Sequence, residues 1–106
     1  MSNRLFQGVV HQMRDAIDRV IGVVDDNATI ISCSELSKIG EVNEVVSLDI
    51  ADSNGIFIRD GYTYKPFGMH AKPEYAVFVE GTDEVAARYA SILSISLGSI
   101  KQYYDE

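Results

Sequence analysis

Between residues 2 and 21 the apolar positions recur at helical period. Leu5, Phe6, Val9, Val10, Met13, Ala16, Ile17, Val20 and Ile21 form one stripe. Arg4, His11, Arg14, Asp15, Asp18 and Arg19 hold the opposite face. The spacing predicts one amphipathic helix, capped by Ser2 and ended by Gly22. Asp15 and Arg19 lie one turn apart, acid first, the favourable order for a helix pair.

After Gly22 the pattern changes to short runs of branched side chains. Val23-Val24 and Ala28-Thr29-Ile30-Ile31-Ser32 predict strands, joined by a turn at Asp25-Asp26-Asn27. Ser34-Glu35-Leu36-Ser37 can start a short helix that Gly40 stops. Residues 41–52 fit either a helix, through Val42, Val45, Val46 and Ile50, or a strand at Val45–Leu48; the helix is favoured. Ile56–Arg59 and Tyr62–Lys65 predict strands joined by Asp60-Gly61, a strong hairpin signal. Pro66 to Pro73 reads as a loop. Tyr75–Val79 is apolar throughout and predicts a central strand.

The last helix, about 83–105, carries two apolar stripes. Ala86, Tyr89, Ala90, Leu93, Leu97, Ile100 and Tyr104 form one. Val85, Ile92 and Ile95 begin a second, which Ser96, Ser99 and Tyr103 extend. Thr82 is placed to cap this helix, with Asp83 and Glu84 in the first turn, where the helix dipole favours acids. Gly98 should cost about 1 kcal/mol against alanine. One sheet needs only one stripe, so the second implies another apolar partner. Val85, Ile92 and Ile95 are therefore the expected seam of a homodimer.

The element order implies an α+β fold: an antiparallel sheet of about five strands with the N- and C-terminal helices packed on one face. PAS, GAF, profilin-like and roadblock-like domains share that outline. Residues 1–106 read as a single domain. The final helix runs to Tyr103-Tyr104-Asp105-Glu106 without a closing turn, as expected of a piece of a longer chain.

Composition narrows the function. Nine basic residues face sixteen acidic ones, a formal net charge of −7. That opposes nucleic-acid binding by this segment and docking on an anionic membrane, since both need a basic face. Cys33 is the one cysteine, so no internal disulfide or cysteine-rich zinc site forms. The N-terminus lacks the apolar core of a signal peptide, and no run is long enough to span a bilayer. A cytoplasmic location is expected.

The sequence carries no metalloprotease, P-loop, Cys-x-x-Cys or nucleophile-elbow motif. His11 sits on the polar helix face, and Cys33 reads as a small buried hydrophobe. No enzyme activity, cofactor or metal is expected. One polar constellation stands out: Ser32, Ser34 and Lys38 after the second strand, Arg59, Tyr64 and Lys65 in the hairpin, and His70 with Lys72 in the next loop. Cations and hydroxyls together could hold a small anion such as a carboxylate. The competing reading is a solvated sheet edge protected by charge.

Val23-Val24-Asp25, Ile30-Ile31-Ser32 and Ile39-Gly40-Glu41, with Asp60-Gly61-Tyr62-Thr63-Tyr64-Lys65-Pro66 later, resemble the N-terminal sensor domain of bacterial sugar-diacid and purine-catabolism regulators. The resemblance implies a PAS-like fold, effector recognition and a DNA-binding helix-turn-helix in a C-terminal segment beyond this one. Those diacid regulators tend to carry a histidine where this chain has Asn43. The leading expectation is thus a dimeric, ligand-sensing regulatory domain. The rival is a roadblock- or profilin-like scaffold that binds protein and no small molecule.

Overall fold

The computed structural model describes residues 2–52, 55–68 and 74–104. The chain runs α1 (Ser2–Met13), β1 (Ile21–Asp25), β2 (Ile30–Cys33), a 3-10 turn at Leu36–Lys38, then α2 (Glu44–Asp52). It continues through β3 (Phe57–Arg59), β4 (Tyr62–Phe67), β5 (Tyr75–Glu80) and α3 (Glu84–Tyr104). The strands form one antiparallel sheet in the order β2-β1-β5-β4-β3. β5 is central, as its unbroken apolar run predicts. The architecture is α+β, with the terminal helices on one face of the sheet, compatible with the PAS-like outline.

Alternation along the strands builds two cores. Ile21 and Val23 of β1, Val77 and Val79 of β5, and Phe67 of β4 face the terminal helices. There they meet Phe6 and Val10 of α1 and Ala86, Ala90, Leu93 and Leu97 of α3. Phe6 packs edge-on against Phe67 and Tyr75, at centroid distances of 5.6 and 5.1 Å. Val24, Ala76, Phe78 and Tyr64 face the other way, against Val46 and Ile50 of α2. The helix favoured for residues 41–52 is present only at Glu44–Asp52, where Val46 and Ile50 pack on this second face, while Val42 forms an isolated bridge with Thr29.

The first helix is shorter than its stripe. It ends at Met13, and the chain turns through bonds from the Ala16 and Ile17 amides to the Met13 carbonyl. Val20 and Ile21 are β-branched, and Ile21 pairs with Val79 in the sheet. Burial of Ile21 and Val23 between β2 and β5 outweighs a marginal helical extension. Gly22 consequently does not stop a helix but lies inside β1, opposite Phe78. A Cβ there would come 2.5 Å from the Phe78 ring and collide with the Ser32 carbonyl oxygen. Glycine lets the aromatic ring close over the strand.

Other local readings shift for identifiable reasons. Asp15 lies beside Arg14, while Arg19 instead pairs with Asp83 across the fold. Asp83, not Thr82, caps α3, its Oδ1 accepting from the Ala86 amide at 3.1 Å. Residues 66 and 67 belong to β4, not to a loop. Pro66 is tolerated because β4 pairs with β3 only as far as Tyr64, leaving its amide side at Pro66 without a strand neighbour. At the first turn the Asp25 carboxylate accepts from the Asn27 and Thr29 amides, both at 3.0 Å. The left-handed residue is Ala28, with φ 60°. At the hairpin Asp60 (φ 54°) and Gly61 (φ 85°) adopt the paired left-handed geometry that Asp-Gly favours.

The outer edge of β2 is closed locally. The Ile30 amide donates to Glu41 O, and the Gly40 amide donates to Ile30 O, both at 2.8 Å. The Gln7 carboxamide of α1 pairs with the Cys33 backbone in both directions, at 3.0 and 3.2 Å. These bonds occupy groups that an edge strand would otherwise offer to another chain.

Candidate functional site

A cavity of about 390 Å³ opens on the α2 face of the sheet. Its inner wall is Val24, Ala28, Val46, Tyr64 and Phe78, all buried. Ile30 and Tyr62 are half-buried beside them. Exposed Glu41, Val42, Glu44 and Asp60 form the mouth, with Lys38 and Asn43 half-buried between wall and solvent. The volume lies in the usual range for small-molecule sites, and an apolar wall with few polar groups is their usual composition.

Each element contributes for a local reason. The β4 alternation puts Tyr62 and Tyr64 on the same face. Tyr64 stacks on Phe57 at 5.0 Å, and Tyr62 meets Phe78 edge-on at 5.7 Å, so the aromatic floor is braced from both sides. Burial first, then the nearby Tyr62, Asp60 and Asp49, pushes the Tyr64 hydroxyl up to about 12. It remains a protonated donor at neutral pH. Asn43 caps α2, its Oδ1 accepting from the Val45 amide at 3.2 Å. Its amide nitrogen lies 3.5 Å from Asp60 Oδ2 across the mouth. Lys38 is held above its ordinary range by Tyr62 and then Glu35.

Of the residues expected to form an anion site, the structure brings Lys38 and Tyr64 together at this cavity. Arg59 does not line it. Both Nε and Nη2 of Arg59 donate to Asp49 of α2, at 2.8 and 3.1 Å, tying that helix to β3. Lys65 alternates with Tyr64 and so lies on the terminal-helix face, opposite Val77. Ser32 is buried opposite Val23. Ser34 caps the start of β1, its Oγ accepting from the Ile21 amide at 3.1 Å. It lines a more open groove with Arg14, Arg19 and Glu80. His70 lies outside the described residues.

Glu41, Val42, Asn43, Glu44, Asp60 and Tyr62 were not singled out for ligand binding by the sequence. Tyr62 was accessible, since it lies two positions from Tyr64 on one strand. The same period separates Tyr64 from Lys65. The mouth residues depend on how α2 folds back over the sheet, which no local pattern encodes.

Among the described residues, the histidine and the cysteine are placed elsewhere. His11 is exposed on α1. Cys33 is fully buried, and that burial pushes its thiol up, away from the reactive thiolate. Among the described residues, no three acidic, histidine or cysteine side chains converge so as to hold a metal ion. None of the described helices is long and apolar enough to cross a membrane.

No protein-family model matches the chain, and no curated protein does. Among solved structures it is similar to an extracellular ligand-binding receptor from Desulfohalobium retbaense, with a TM-score of 0.50 and 13% identity. The match covers 70% of this chain and 14% of the receptor, so the chain spans a small part of that protein's length. At this identity the likeness is one of fold. The resemblance to sugar-diacid regulators therefore rests on the residues quoted for it.

Proposed function

We propose that this chain is a ligand-sensing regulatory domain of a bacterial transcriptional regulator. It takes up a small effector in the cavity on the α2 face and dimerises through α3. The observation that carries the reading is the cavity itself: a buried apolar and aromatic wall, a polar mouth, and a volume near 390 Å³. The fold likeness to part of a ligand-binding receptor supports it. Its role in transcription rests on the residues shared with the sugar-diacid regulators, whose sensor domains work inside the cell. DNA binding would belong to a separate segment. The domain binds and signals, and catalysis is not part of the reading.

The exposed stripe of α3 supplies the output surface. Ile92 and Ile95 are 51% and 70% exposed, beside Val85, while Ala86, Ala90, Leu93 and Leu97 of the opposite stripe are buried on the sheet. Cavity-facing Tyr62, Tyr64 and Phe78 alternate along β4 and β5 with Thr63, Val77 and Val79 on the α3 side. An effector acts through that layer only if it binds two arrangements of the sheet and α3 with different affinity.

A screen of small metabolites by thermal shift tests the reading. A compound at about 100 times its dissociation constant should stabilise by roughly 2.7 kcal/mol. Val42→Trp, at an exposed lining position, fills the mouth and should abolish that shift. If no compound moves the midpoint, the sensor reading fails. The scaffold alternative is favoured by exposed Leu36, Leu48 and Ile58. It predicts that partner binding survives Val42→Trp unchanged.

A further inference from the structure

We infer that the effector of this cavity carries a positively charged amine or ammonium group. The inference rests on the cavity being the effector site, and it departs from the carboxylate effector that the resemblance suggests. Three carboxylate side chains, Glu41, Glu44 and Asp60, stand at the mouth, against one cation, Lys38. None of the three forms an ion pair among the described residues; Lys38 lies 3.9 Å from Glu35, outside the cavity lining. Arg59 lies outside the lining and is bound to Asp49, though Asp60 is also within its electrostatic reach.

The wall is equally suited to a cation. Tyr62, Tyr64 and Phe78 line the cavity, and aromatic faces attract ammonium groups. The carboxylates do not converge on a metal-sized point among the described residues, which favours a bulky organic cation over a metal ion. The chain's net charge of −7 adds a long-range field of the same sign. A dicarboxylate entering here would meet three carboxylates at the mouth, with Lys38 the one cation in the lining. An amine entering here meets opposite charge at the mouth and aromatic surface within. If the ligand is zwitterionic, Lys38 is the group placed to take its carboxylate.

The test uses uniformly labelled protein titrated by heteronuclear NMR with four shape-matched probes: phenethylamine, phenylalanine, 2-phenylethanol and 3-phenylpropionate. Phenethylamine and phenylalanine should shift the amides of Glu41, Asn43, Glu44, Tyr62 and Tyr64. Phenethylamine should bind at least ten-fold more tightly than 3-phenylpropionate. The double variant Glu41→Gln, Glu44→Gln should bring that ratio close to one while 2-phenylethanol binds as before. If 2-phenylethanol or 3-phenylpropionate binds the same amides as tightly as the amine, the charge assignment is overturned and the cavity reading stands. If none of the four shifts these amides, both fall.

Discussion

Arg19 grips Asp83 with both guanidinium nitrogens, at 2.6 and 2.8 Å, and also donates to the Glu80 carbonyl at 3.2 Å. Two distant parts of the chain are joined there: the turn entering β1 and the N-cap of α3. The Arg19 side-chain hydrogen bond, followed by the Ala86 amide, holds the Asp83 carboxyl well below the usual carboxylate range. Because the folded-state value is depressed, the stabilisation is present above the unfolded value, near 4. It is lost as pH falls through the folded value. Asp83→Asn keeps a cap acceptor and removes the charge. Urea midpoints should show the variant less stable at neutral pH. The gap should narrow steadily below about pH 4. A gap independent of pH would contradict this assignment.

Two glycines that look alike in sequence should respond in opposite ways. At Gly22 a Cβ meets the Phe78 ring and the Ser32 carbonyl, so Gly22→Ala should destabilise by about 1–3 kcal/mol. At Gly98, inside α3, the nearest atom to an added Cβ is Phe67 Cδ2 at an ordinary 3.8 Å. Gly98→Ala should stabilise by about 0.5–1 kcal/mol. Chemical denaturation of both variants checks the signs.

That contrast shows how far the sequence could be read. Glycine at Gly22 looked like a helix stop because the local stripe ran through Ile21. Only the long-range pairing of Ile21 with Val79 makes the position strand interior. Signals read along a single element survived: the Asp60-Gly61 hairpin, the apolar run of β5 and the helical period of α3. The candidate site fared differently. Tyr64 and Lys65 are neighbours on β4, and the two-residue period of a strand sends them to opposite faces. Arg59 looked available because its partner, Asp49, lies on a helix whose packing direction no local pattern encodes.

Gln7 should control the edge of β2. Gln7→Ala removes both bonds to the Cys33 backbone, at a cost of roughly 1–2 kcal/mol. The Cys33 amide should then exchange with solvent much faster, while the β5 amides keep their protection. Unchanged exchange at Cys33 would mean that the carboxamide does not guard the edge.

The α3 stripe makes its own demand. Sedimentation should show a dimer at high protein concentration, and Ile92→Glu with Ile95→Glu should give a folded monomer of unchanged circular dichroism. Both side chains are already exposed, so the substitutions place no charge in the core. A parent protein that remains monomeric would refute dimerisation through this face.

The proposed coupling runs from the cavity on one face of the sheet to α3 on the other. Hydrogen exchange measured with and without a compound that stabilises the parent but not Val42→Trp tests it most directly. Slower exchange is expected at Asn43–Ile50 and Tyr62–Tyr64, accompanied by altered exchange along α3 around Ile92 and Ile95. Protection confined to the groove near Arg14 and Ser34, or no change in α3, would contradict it.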